Sequence, residues 1–101
     1  MKTSITIPDE WQRISDLFVA LGDAHRQRIL LAFESGERLS ISQIVAAFDL
    51  SRTAITHHLK VLEQGGALRS AKVGKEVLFS IDKDYMQAVL QNVLDYIQQE
   101  I

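Results

Sequence analysis

Apolar residues recur along most of this chain at steps of three and four, the period of an amphipathic helix. From Asp9 to Leu21, the residues Trp11, Ile14, Leu17, Phe18 and Leu21 fall on one side, with Pro8 and Gly22 as boundaries. Asp23 caps a second helix running to about Glu34, with Ile29, Leu30 and Phe33 inward and Gly36 as its stop. Ser40-Ile41-Ser42-Gln43 has the form of a capping box, a hydroxyl followed three residues later by a glutamine. The short helix it opens has Ile44, Val45 and Phe48 as apolar positions and ends near Ala47 or Phe48. After the turn Phe48-Asp49-Leu50, Ser51 caps a fourth helix that runs to Gly65-Gly66. That turn holds no glycine, so any left-handed residue in it is expected to be Asp49.

The helical period then breaks. Ala67 to Val73 and Glu76 to Ile81 read as two strands joined at Gly74-Lys75, where Gly suits the first central position of a two-residue hairpin. From Asp82 or Lys83 to the end the helical stripe returns in Met86, Leu90, Val93 and Ile97, widened by Val89, Leu94 and Ile101. The order α-α-α-α-β-β-α predicts a mainly helical fold with a β-hairpin wing, a winged helix-turn-helix, over residues 1–101 as one domain. Its helix-turn-helix spans about 40–65, its wing about 67–81, and the helices at about 9–21 and 83–99 serve dimerisation. A length of 101 residues, 47% hydrophobic and 24% charged, suits one soluble domain with a core.

Composition removes several function classes. No stretch approaches the roughly 18 to 20 uncharged apolar residues of a membrane span, and the N-terminal Met1 to Pro8 lacks the long apolar run of a signal peptide. With no cysteine, disulfides, thiolate metal sites and thiol redox sensing are excluded. A cytoplasmic protein is expected. No P-loop, dinucleotide fingerprint, HExxH or nucleophile elbow occurs, so an enzyme is not expected and no cofactor is implied.

The net charge of −2 hides an uneven distribution. Between Ser51 and Lys83 there are six basic residues against three acidic ones; elsewhere five stand against ten. A basic segment on an acidic body is what local electrostatic steering needs, although a merely solvated segment would look the same. On the fourth helix, Ile55, His58, Leu59 and Leu62 share the face that must meet the core. The opposite stripe carries Thr53, Thr56, His57 and Lys60, with Arg52 in the first turn.

Arg reads guanine edges, Thr and His bond bases or phosphates, and Lys neutralises phosphate. Such a helix presents its N-terminal half to the bases, so Arg52, Thr53, Thr56 and His57 are expected base readers and Lys60 a phosphate contact. A plain polar solvent face is the alternative. The wing adds Arg69, Lys72 and Lys75, of which Lys72 and Lys75 are expected on phosphates. Double-stranded operator DNA is thus the expected partner; a winged helix used to bind another protein is the rival reading.

His57 and His58 do not make a metal site, because helical neighbours point roughly 100° apart. His58 is expected as a hydrogen-bonded core histidine and His25 as an isolated, exposed one. Trp11, Leu17, Phe18, Met86, Leu90, Val93 and Ile97 offer more apolar surface than one copy needs to cover. A two-fold dimer would bury it; alternatively the first and last helices pack on each other within a monomer.

Three segments resemble the ArsR/SmtB family of bacterial winged-helix repressors, over nearly the whole chain from about Trp11. Leu21 to Leu30 is similar to the opening of the family's second helix, and Leu50 to Leu62 to its recognition helix. Gly65-Gly66-Ala67-Leu68 with Gly74-Lys75 is similar to the entry and tip of its wing. The resemblance implies a homodimeric repressor that binds an imperfect inverted repeat. It also implies where family members hold metals, and there this chain departs. Ser40 and Ser42 stand at the thiol positions of the metalloid sensors, and a hydroxyl is a poor ligand for a soft ion. Lys83, Tyr85, Tyr96 and Gln99 stand where zinc-type sensors place carboxylates and imidazoles, and the persulfide-sensing branch needs two cysteines. No residue pattern names an effector.

Metal indifference is the expected outcome. Titrations with zinc and with arsenite should show no submicromolar binding, and neither ion should release the protein from DNA.

Overall fold

The first helix, α1 (Asp9–Leu21), begins where Pro8 fixes an extended backbone, with Asp9 and Glu10 at the positive end of the helix dipole. The computed structural model to which it belongs describes residues 1–3 and 6–101; Ser4 and Ile5, in the stretch read for a leader, lie outside the described residues. Ile14, Leu17 and Ala20 turn inward from α1. α2 (Ala24–Ala32) is capped as expected, the Asp23 carboxylate accepting from Arg26 N–H at 3.1 Å. It ends at Ala32, short of Glu34, because Phe33 turns extended and delivers its ring to the core. Gly36, at φ +72°, closes the following turn and not the helix.

The sequence pattern missed one strand. β1 (Leu39–Ser40) is only two residues long and pairs antiparallel with a strand of the hairpin, Leu39 opposite Phe79 and Ser40 opposite Leu78. Ser40 then caps α3 (Ile41–Ala47). Its Oγ accepts from Gln43 N–H at 3.2 Å, and Gln43 Oε1 accepts from Ser40 N–H at 2.8 Å. Both halves of the predicted capping box are present. The turn to α4 (Arg52–Gln64) contains no left-handed Asp49, since among the described residues only glycines have positive φ. The chain bends over residues 48–50, with Phe48 and the Ser51 cap both extended.

The hairpin strands β2 (Leu68–Val73) and β3 (Glu76–Ile81) run antiparallel in the sheet order β1-β3-β2. Gly74 has φ +63° while Lys75 does not enter positive φ, the sign pattern of a II′ hairpin turn. α5 (Lys83–Glu100) starts at Asp82, whose carboxylate accepts from Tyr85 N–H at 3.2 Å. The architecture is therefore the expected mainly helical fold with a wing, plus β1.

The core lies between α1, α2, α4 and the root of the hairpin, built on Ile14, Leu17, Ile29, Ile55, Leu59 and Leu62. Each fully buried aliphatic contributes about 1.5–3 kcal/mol. Leu17 is 0% exposed within one chain, so its assignment to a dimer surface is corrected: it is core. Trp11, Met86 and Val93 are half-buried against the same core, and the Trp11 ring meets Tyr96 edge-on at 5.2 Å. The first and last helices do pack on each other inside one chain, yet they leave Phe18, Leu90, Leu94 and Ile97 exposed.

The end of α4 crosses α1 at Gly65. A methyl group there would come within 2.5 Å of Ala20 Cβ and 2.7 Å of the Asp16 carbonyl oxygen. Gly65 has φ −80°, so alanine would suit its backbone and steric contact alone opposes it. The usual gain of Gly→Ala, about 0.4–1 kcal/mol, is smaller than the roughly 1–3 kcal/mol cost of overpacking. Gly65→Ala should therefore lower stability, read as a lower urea midpoint with an unchanged slope.

Candidate nucleic-acid interface

The inner stripe of α4 decides what its outer face can present. Ile55, Leu59 and Leu62 are buried, which turns Arg52, Thr53, Thr56, His57 and Lys60 out to solvent along one shallow concavity. All five residues expected from the sequence lie on this single face. Arg52 Nη1 donates to Ser42 Oγ of α3 at 3.4 Å. Ser42 is an addition that only the packing of α3 against α4 supplies.

The wing tip lies beside the same face. Lys75 shares a second shallow groove with Ser42, Arg52 and Val77, so the tip cation flanks the start of α4. Lys72 is exposed on β2, opposite Val77 in the ladder. Arg69 sits apart at the root of the hairpin, in a groove with Phe33, Arg38, Ser80 and Lys83. The three wing cations thus divide between the two ends of the hairpin.

Behind α4 lies a polar cluster that joins it to the first two helices. Arg26 donates from Nε to the Ala20 carbonyl and from Nη2 to the Val19 carbonyl, each at 2.9 Å, satisfying the end of α1. Its Nη1 faces His58 Nδ1 at 3.3 Å. Guanidinium only donates, so Nδ1 accepts and the imidazole is neutral with its proton on Nε2. Asp23 Oδ2 lies 4.0 Å from both Arg26 Nη1 and His58 Nδ1.

His58 is thus hydrogen-bonded as expected, with 13% of its side chain exposed. His25 is exposed but not isolated, a correction: its ring lies 5.7 Å from that of His58, and its Nδ1 faces Arg28 Nη1 at 3.3 Å. Periodicity could place His58 inward but could not show its partner, which is thirty-two residues away in sequence.

Desolvation pushes His58 below the ordinary imidazole value of 6.5, aided by the Arg26 charge and opposed by Asp23. The backbone N–H of Arg26 holds the Asp23 carboxyl below its ordinary value, with the Arg26 charge assisting against desolvation. For His58 the unfolded chain binds the proton more readily. Its contribution to stability is complete above the unfolded value and is lost as pH falls through it.

A model of the helix-turn-helix domain family matches residues 21–71, half of the chain. The transcriptional repressor SmtB homolog of Synechocystis is 28% identical over 91 residues, covering 90% of this chain and 68% of that protein. The transcriptional repressor SdpR of Bacillus subtilis is 25% identical over 84 residues, covering 83% and 92%. An ArsR-like transcriptional regulator from Rhodococcus superposes with TM-score 0.78 at 28% identity, over 89% of this chain and 83% of that one. The chain belongs to the ArsR/SmtB family of winged helix-turn-helix regulators. A homodimeric winged helix-turn-helix DNA-binding domain from Mycobacterium bovis shares the fold, with TM-score 0.70 at 20% identity over 95% and 91% of the two chains.

ArsR/SmtB proteins regulate transcription and are not enzymes. In this fold α4 follows α3 directly, and the β2–β3 hairpin stands beside its first turn. No helix among the described residues is long and apolar enough to cross a membrane.

The two faces of α4 should separate under mutation. Thr56→Ala and His57→Ala, both exposed, should change stability by no more than about 0.5 kcal/mol. His58→Ala should cost about 1–3 kcal/mol, because Arg26 Nη1 would be left without its acceptor. Thermal melts above pH 6.5 would compare the three, since the imidazole is neutral there.

Proposed function

We propose that this protein is a cytoplasmic, homodimeric repressor that reads an inverted-repeat operator without a metal ion at the family's known sites. The observation that carries this reading is the single outward face of α4, Arg52, Thr53, Thr56, His57 and Lys60, with Lys75 of the wing beside it. Arg52, Thr53, Thr56 and His57 read base edges in the major groove; Lys60, Lys72 and Lys75 hold phosphates. The 33-residue basic stretch provides the charge that counterion release rewards.

Shape supports a dimer. A radius of gyration of 15.7 Å exceeds the value of about 13 Å for a compact chain of 100 residues. The long axis reaches 51 Å. On the outer side of α5, Leu90, Leu94 and Ile97 stay exposed, and so does Phe18 on α1. A second copy covering this surface would set two recognition helices on two half-sites. Trp11, Met86 and Val93 are half-buried and belong to its margin, while Leu17 takes no part.

The experiment is selection of a duplex from genomic fragments, followed by titration against it and a scrambled duplex at several salt concentrations. Thr56→Ala and His57→Ala should each cost about 1–3 kcal/mol on the selected duplex and relax selectivity. Lys75→Ala should weaken binding to both duplexes and reduce the salt slope by about one unit per half-site. The pair Leu90→Glu and Leu94→Glu should sediment as a monomer and bind the selected duplex much more weakly. Equal binding to selected and scrambled duplexes by the unaltered protein would refute operator recognition and favour a protein-binding winged helix.

A further inference from the structure

The cluster behind α4 fastens that helix to its neighbours. α4 touches the first two helices at two separate places besides its apolar stripe. At its end, Gly65 lies against Ala20 and the Asp16 carbonyl. At its middle, His58 meets Arg26, which is itself fastened to the Val19 and Ala20 carbonyls of α1. Two such points on one helix set its roll about its own axis. Removing the middle one leaves the Gly65 crossing and the apolar stripe as the remaining contacts of α4 with the first two helices.

We propose that Arg26 and His58 are positioning residues for DNA recognition, and that their bond makes operator selectivity sensitive to protons. The inference rests on the reading of α4 as the DNA-contacting helix. His57, an assigned base reader, immediately precedes His58, and Thr56 and Lys60 lie within one turn of it. A change of roll at His58 therefore moves those side chains at the reading face. The bond exists only for neutral imidazole, because protonated Nδ1 becomes a donor and cannot accept from guanidinium.

Protonation also exchanges partners. Cationic His58 repels Arg26 and is drawn to Asp23 Oδ2, already 4.0 Å away. Asp23 is at the same time the cap of α2 through Arg26 N–H. The charged and titratable groups facing His58 among the described residues are Asp23, His25 and Arg26 at the start of α2, and His57 on α4 itself. From α1 the cluster receives only the Val19 and Ala20 backbone carbonyls, through Arg26. One anion between two cations gives two arrangements, with Arg26 bonded to His58 or His58 turned to Asp23.

The direction of the effect runs against simple electrostatics. Acid adds positive charge to any histidine near DNA and so tends to strengthen binding to every sequence. Loss of the Arg26–His58 bond instead lowers selectivity. The ratio of affinities for selected and scrambled duplexes separates the two, since added charge affects both alike.

The test measures that ratio from about pH 7.5 down to about pH 5, the lower end of the imidazole range, because burial holds His58 below its ordinary value. The unaltered protein should lose selectivity by roughly 5- to 20-fold on acidification, within the usual range of coupling between two sites. His58→Gln keeps a neutral acceptor and removes the titration, so its ratio should not change with pH. His57→Gln should still show the acid loss, whatever its own selectivity at neutral pH. A second arm needs neither DNA nor a variant. In NMR titrations of the free protein, amide shifts of Thr56, His57 and Lys60 should follow the His58 imidazole curve.

If those shifts ignore His58, or if His58→Gln keeps the acid loss, the inference is overturned while operator recognition stands. If the protein selects no duplex at neutral pH, operator recognition fails and the shifts alone decide whether the Arg26–His58 bond positions α4.

Discussion

The seating of α4 on α1 is the contact on which the rest of the molecule depends. It combines an apolar stripe, Ile55, Leu59 and Leu62, with a close helix crossing that Gly65 permits because it carries no side chain. Burial of the stripe supplies most of the free energy, since each of these side chains is worth more than a typical net hydrogen bond of about 0.5–1.5 kcal/mol. The crossing supplies geometry. Because the inner face is fully committed to the core, the outer face is left to polar groups that contribute little to folding. That division lets one helix hold the fold and carry recognition chemistry at once.

Around this contact the polar interactions direct more than they stabilise. Arg26 satisfies two carbonyls at the end of α1 and also reaches α4, so three helices meet at one guanidinium. Arg52 also reaches Ser42, a contact between the first turn of α4 and α3. The charge distribution follows the same plan. The basic residues concentrate between Ser51 and Lys83, while the rest of the chain is acidic.

The apolar stripes of α1 and α5 illustrate how one pattern can serve two purposes. Val89 is buried against the core, while its neighbour Leu90 and the following Leu94 and Ile97 stay in solvent. On α1, Leu17 is core and the adjacent Phe18 is exposed. A stripe wider than the core can cover therefore splits into an inner edge that folds the chain and an outer edge available to a second copy.

What the sequence by itself determined are the features that depend on neighbours in the chain. The bounds of α1, the caps at Asp23, Ser40 and Ser51, and the hairpin at Gly74 all follow from groups a few residues apart. The outward residues of α4 follow from the helical period, which fixes relative directions as soon as the inward side is known. Only tertiary structure decided the rest. β1 is too short to leave a pattern and exists because β3 pairs with it. The chain bends over residues 48–50 without a left-handed Asp49. Periodicity put Leu17 and Phe18 on one face without telling core from spare surface, a distinction set by how many helices converge on each. It turned His58 inward but could not name Arg26, since that bond joins residues brought together only when three helices pack.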